Sequence, residues 1–201
     1  IIATVLSENI YEDEIQPSAE EINREIDRSK PWKVEFVVPE WVQQYRTWQL
    51  RARILKPLMQ QYLHDNQISA GEEEIEAFKK ALERGDDELS ELSDEQKTEH
   101  NSFLHQMAVQ HINAWKFFQA IQDRYGGTVY ITHMGQPMVD GAIDRFLSEH
   151  AVQGSFTVCD ERLKFGILNT STNRPGYFPM SESEARGALR TPWWTPRAEK
   201  N

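Results

Sequence analysis

The stretch Trp41–Ile68, WVQQYRTWQLRARILKPLMQQYLHDNQI, decides what kind of fold this chain takes. Trp41, Tyr45, Trp48, Ala52, Leu55, Met59 and Tyr62 recur by threes and fours, the spacing that keeps side chains on one face of an α-helix. Leu50, Ile54, Leu58 and Leu63 widen that stripe, while Gln43, Gln44, Arg46, Arg51, Arg53 and Gln60 occupy much of the remaining circumference. Pro57 has no N–H to donate, so a kink within one continuous helix is expected there. A helix of about 25 residues spans roughly 38 Å. One so long and so aromatic needs a partner.

The chain carries that partner. Residues 94–125 form a second long helical pattern, with Leu104, Met107, His111, Ala114, Phe118 and Ile121 on a three-four seam flanked by Phe103, Ile112 and Trp115. Gly126-Gly127 supplies a stop. Between the two, Ser69 and Glu72 have capping-box spacing for a helix over 70–84, which places Ile75, Phe78 and Leu82 on one face. GDDELSELSDEQ is a polar connector.

Outside these helices the signals are shorter. Residues 1–11 read as a short strand and a Ser-Glu-Asn turn, and Pro17-Ser18 opens a short amphipathic helix through Ile22 and Ile26 that ends by Pro31. Trp32, Val34, Phe36 and Val38 alternate as a strand or extended link. Beyond the second long helix come a strand at TVYITHMG, a helix through Val139, Ile143, Phe146 and Leu147, a strand at GSFTVCD, a loop at NTSTNRPGYFP and an extended tail, RTPWWTPRAEKN. The expected fold is mainly α with a few short β-strands. It comprises an arm (1–40), a helical core (41–127) and a C-terminal strand-helix-strand segment with its Pro/Trp tail (128–201), packed on the same domain.

Composition narrows the function classes. A hydrophobic fraction of 39% with 27% charged residues is that of a globular chain rather than a disordered or fibrous one. The net charge of −10 disfavours nucleic acid and anionic membrane surfaces as partners. Residues 72–99 alone hold twelve Asp/Glu against four Lys/Arg, so most of that charge belongs to one helix and its connector. No run of 18 apolar residues exists, so no membrane-spanning helix is expected. The start at Ile1-Ile2 without Met reads as a processed or trimmed product whose leader is gone. The single cysteine, Cys159, excludes an internal disulfide and reads as a buried structural thiol.

Several motifs resemble one family. The opening IIATVLSENIYEDEI is similar to the V-A-x-V-N-G-x-x-I start of SurA/parvulin-type chaperones, with Leu6-Ser7 where their Asn-Gly pair sits and Asn9-Ile10 near the expected place. RARILKPLMQQYLHDNQISAGEEEIEAF resembles the family's long helix and its sequel, through Ile68, Glu73, Glu74, Ile75 and Phe78. Tyr125-Gly126-Gly127-Thr128-Val129, followed by the Gly135-Gln136-Pro137 turn, is like the closing segment of envelope relatives. The resemblance covers most of 1–83 and, more loosely, 100–158. It implies helices packed as in the SurA N-terminal chaperone core, and a periplasmic or cell-envelope location. The family's parvulin isomerase domain has no counterpart, since residues 86–99 bridge the helices directly. Peptidyl-prolyl isomerase activity is therefore the least expected function.

The residues specify no catalytic site. The helical histidines His100, His105 and His111 are five and six apart, not the three or four that place two metal ligands on one face. No phosphate-binding glycine loop and no G-x-S-x-G is present, and no cofactor or metal is implied. What stands out is six tryptophans. Core packing accounts for aromatic residues on such seams; the sharper reading is a groove between the long helices that takes apolar, extended peptide. Its residues would be Trp41, Tyr45, Trp48, Met59, Tyr62, Met107, Trp115 and Phe118. Trp193 and Trp194, between prolines, either dock back on the domain or contact a partner. The expected function is ATP-independent, chaperone-like binding of unfolded or extended polypeptide in the bacterial envelope. The alternative is a structural or assembly subunit, a homodimer or partner-bound chain, with the same faces buried.

Overall fold

A computed structural model describes residues 1–30, 37–83, 93–131, 137–170, 178–192 and 194–195. In chain order its elements are β1 (Ala3–Val5), β2 (Glu8–Ile10), α1 (Ala19–Ser29), α2 (Val38–Asp65), α3 (Glu72–Glu83), α4 (Asp94–Tyr125), β3 (Tyr130–Ile131), β4 (Pro137–Met138), α5 (Asp140–Val152), β5 (Phe156–Val158), α6 (Glu161–Leu168), β6 (Phe178–Pro179) and α7 (Glu182–Arg190). The chain is mainly helical, with two small antiparallel sheets ordered β2-β1-β5 and β4-β3-β6. No helix among the described residues is long and apolar enough to cross a membrane. The Trp32-to-Phe36 alternation lies outside the described residues, and Val38, expected as its last member, opens α2 instead.

These elements form two compact units: Ile1–Gln60 with Asp144–Ser171, and Gln61–Ile143 with Thr172–Asn201. The division departs from the expected stretches 1–40, 41–127 and 128–201. Its physical reason is a non-local strand pairing: Ala3, Thr4 and Val5 of β1 face Val158, Thr157 and Phe156 of β5. That register brings the chain's start and residues 144–171 into one core.

In the first unit, β1 and β2 form a hairpin whose turn residues, Leu6 and Ser7, both have positive φ (47° and 71°). The turn therefore lies one residue before the expected Ser-Glu-Asn. Ser18 caps α1 by accepting from Glu21 N, and Glu21 returns a bond to Ser18 N at 2.8 Å. The core gathers Val5, Ile10, Ile15, Leu50, Ile54, Leu58, Phe146, Leu147, Leu163 and Ile167, all buried. Leu163 and Ile167 lie on α6, a helix the sequence reading missed; Asp160 caps it, accepting from Arg162 N and Leu163 N. A Cβ on Gly166 would sit 2.8 Å from Thr47 Cγ2, so α6 crosses α2 where any larger residue would have to displace the Thr47 side chain.

The second unit centres on α3 and α4. Ile75 and Phe78 of α3 are buried against Ala108, Ile112 and Trp115 of α4. α4 begins at a Ser93–Gln96 capping box and ends at Gly126, whose N–H donates to Gln122 O at 2.8 Å. Gly127, at φ 115°, continues the exit turn. The cap of α3 differs from expectation: Glu74 reaches back to Gly71 N at 2.8 Å, so the helix starts two residues later than a Ser69–Glu72 box would place it. Ser69 instead offers its carbonyl to Lys116 Nζ at 2.7 Å. The loop expected at residues 169–179 ends in β6, whose Phe178 and Pro179 face Ile131 and Tyr130 of β3. α7, capped by Ser181, then fills the stretch between that loop and the Pro/Trp tail, where no element was expected.

Candidate aromatic surface

Both long helices are rotated relative to the expected seams. On α2 the buried residues are Leu50, Ile54, Leu58 and Leu63, the row expected to flank the aromatic stripe, together with Arg51, expected on the polar side, while Ala52 is exposed. On α4 they are Leu104, Ala108, Ile112, Trp115, Phe117 and Ile121. Met107, Ala114 and Phe118 are half-buried, and His111 and Phe103 are exposed. Each helix has apolar residues on two adjoining rows, and periodicity alone cannot tell which row meets a neighbour.

The rotation sorts the eight candidate peptide-binding residues. Trp41, Tyr45, Trp48 and Met59 belong to the first unit, and Tyr62, Met107, Trp115 and Phe118 to the second. Trp48 is 57% exposed; Trp41, Tyr45, Met59, Tyr62, Met107 and Phe118 are half-buried, and Trp115 is buried. Tyr62 meets Phe117 edge-on, at 5.6 Å between ring centroids.

Trp41, Tyr45 and Trp48 of the first set lie in the N-terminal half of α2, and Met59 in its C-terminal half. The Trp41 and Tyr45 rings lie 5.2 Å apart at an interplanar angle of 37°. Tyr45 is held from its far end: its hydroxyl donates to Glu21 Oε1 on α1 at 2.8 Å. That bond is the main cause holding the phenol above its ordinary pKa. Glu21 is held below the usual carboxylate range first by the Ser18 N–H, then by the Tyr45 and Ser18 hydroxyls. One turn on, Trp48 projects into solvent.

A second exposed aromatic residue was missed by sequence reading. Phe165 of α6 is 70% exposed, and its neighbour Gly166 is the residue that meets Thr47, which precedes Trp48. Trp48 and Phe165 are thus each the sequence neighbour of a residue at this crossing. The signal was present: Leu163 and Ile167 are one turn apart and buried, which leaves Phe165 on the other side of α6.

In the second unit Trp194 is buried (5% exposed) rather than presented to a partner. Its ring lies edge-on to Phe78 at 5.2 Å and to Trp115 at 5.6 Å. Trp193 lies outside the described residues. Cys159, expected to be buried, is exposed, because the alternation of β5 buries Phe156 and Val158 and turns the next residue outward. No group of three or more His, Cys, Asp or Glu among the described residues is placed to hold a metal ion. Comparison of the chain with family models, curated proteins and solved structures finds no match.

Proposed function

We propose that this chain is an ATP-independent binder of unfolded or extended polypeptide, acting in the bacterial cell envelope. The observation that carries the reading is Trp48, an indole left 57% exposed beside the Trp41–Tyr45 pair. At that exposure, burying the ring under a client side chain is worth up to about 3 kcal/mol. Such a contact is strong enough to matter and weak enough to be reversible. Phe165, 70% exposed and next to the glycine that meets Thr47, is a further aromatic side chain open to a client. The likeness of Ile1–Ile15 and Arg51–Phe78 to SurA-type chaperones supports both the packing of the helices and the envelope location. The acidic residues of α3 would favour clients that carry basic residues.

The test is binding of an environment-sensitive apolar dye, with and without an unfolded outer-membrane-type polypeptide, alongside the solution mass. Dye binding by a monomer, reversed by the polypeptide, supports the proposal. A dimeric mass without dye binding favours an assembly subunit whose aromatic surface is covered by a second copy.

A further inference from the structure

A separate feature lies in the second unit: a cavity of about 630 Å³ where the ends of α4 and α7 converge. Its volume falls in the range of small-ligand sites, roughly 300–1,000 Å³. Val129, Met180 and Leu189 give it an apolar wall, and Asp123 and Arg190 bring opposite charges to it. Neither charge has an ion-pair partner among the described residues. Gln119 explains how both reach one cavity. It stands one helical turn before Asp123, on the same face of α4, and its Nε2 donates to the carbonyl of Leu189, next to Arg190, at 3.1 Å.

We infer that this cavity binds a short zwitterionic peptide, its ammonium at Asp123, its carboxylate at Arg190 and an apolar side chain against Met180 and Leu189. A volume of this size is about 8–9 Å across, the length of two to three extended residues. The site is independent of Trp48, and so goes beyond the polypeptide-binding surface of the first unit.

The experiment is calorimetric titration of the full chain with Leu-Leu, its N-acetyl form and its C-terminal amide. Leu-Leu is expected to bind at least tenfold more tightly than either blocked form. Asp123→Asn should abolish the discrimination against the acetylated form, and Arg190→Gln the discrimination against the amide, while Trp48→Ser leaves both intact. Both charged residues are exposed, and circular dichroism verifies that the variants fold. Equal binding of all three peptides, no binding at millimolar concentration, or unchanged discrimination in folded variants would overturn the inference.

Discussion

Arg51 Nη1 lies 2.8 Å from Asp144 Oδ1, and the same nitrogen donates to the carbonyl of Ile167. Three helices, α2, α5 and α6, thereby converge on the guanidinium of Arg51, a residue only 9% exposed. Asp144 also accepts from Thr170 Oγ1 at 2.8 Å, just beyond the end of α6. Removing one partner of so sheltered a pair strands the other charge away from water. Asp144→Ala should therefore cost roughly 3 kcal/mol, and Arg51→Met with Asp144→Ala should cost less than Asp144→Ala alone. Urea unfolding of the three proteins measures this. A single variant as stable as the parent would show that the pair does not hold the helices.

The hairpin turn offers a gain instead of a loss. Leu6 and Ser7 both occupy positive φ, where a side chain is strained and where Asn-Gly is the favoured pair. Replacing Leu6→Asn and Ser7→Gly together should stabilise the chain by about 1–2 kcal/mol, since neither residue is buried. An unchanged or lowered unfolding midpoint would contradict the turn geometry.

Trp194 is an anchor for the α3–α4 core. Trp194→Ala removes a ring packed against Phe78 and Trp115 and leaves a cavity, at an expected cost of about 3 kcal/mol. Near-ultraviolet circular dichroism should lose aromatic signal in step. A variant with parental stability and an unaltered spectrum would place Trp194 elsewhere.

Acid should loosen the start of α3. Burial works to raise the Glu74 pKa, but the Lys116 ammonium, 2.6 Å away, and the Gly71 N–H together hold it below its ordinary value. A carboxylate depressed in the folded state contributes stability above its unfolded pKa, near 4.5. That contribution fades as pH falls from about 5 through the lower folded value. Glu74→Gln should flatten this part of the stability-against-pH curve. A variant curve parallel to the parent's across that window would assign the acid sensitivity to other groups.

The sequence disclosed the helices better than their orientation. The span of α4 was legible because Gly126-Gly127 stops the pattern, and the span of α2 because its apolar spacing runs on through Pro57. Rotation was not legible. Arg51 reads as one of several polar residues on α2, and only the arrival of Asp144, 93 residues later, gives it a buried partner. The β1–β5 pairing is equally non-local, which is why the two-unit division escaped a reading by contiguous stretches. The short helices α6 and α7, on either side of the loop-like stretch, were given no element, although Asp160 and the Ser181–Glu184 box mark their starts. Of the eight aromatic and Met candidates, composition supplied the names and packing decided which stay open. Trp48 does, and Trp115 does not.

The most direct test of the polypeptide-binding surface is the affinity of a fluorescently labelled, unfolded outer-membrane-type polypeptide for the parent chain and for Trp48→Ser. Because Trp48 is mostly exposed, the variant should fold with parental stability and bind at least tenfold more weakly, with Phe165→Ser weakening binding in the same direction. Parental affinity in both variants would place the client elsewhere and contradict the account.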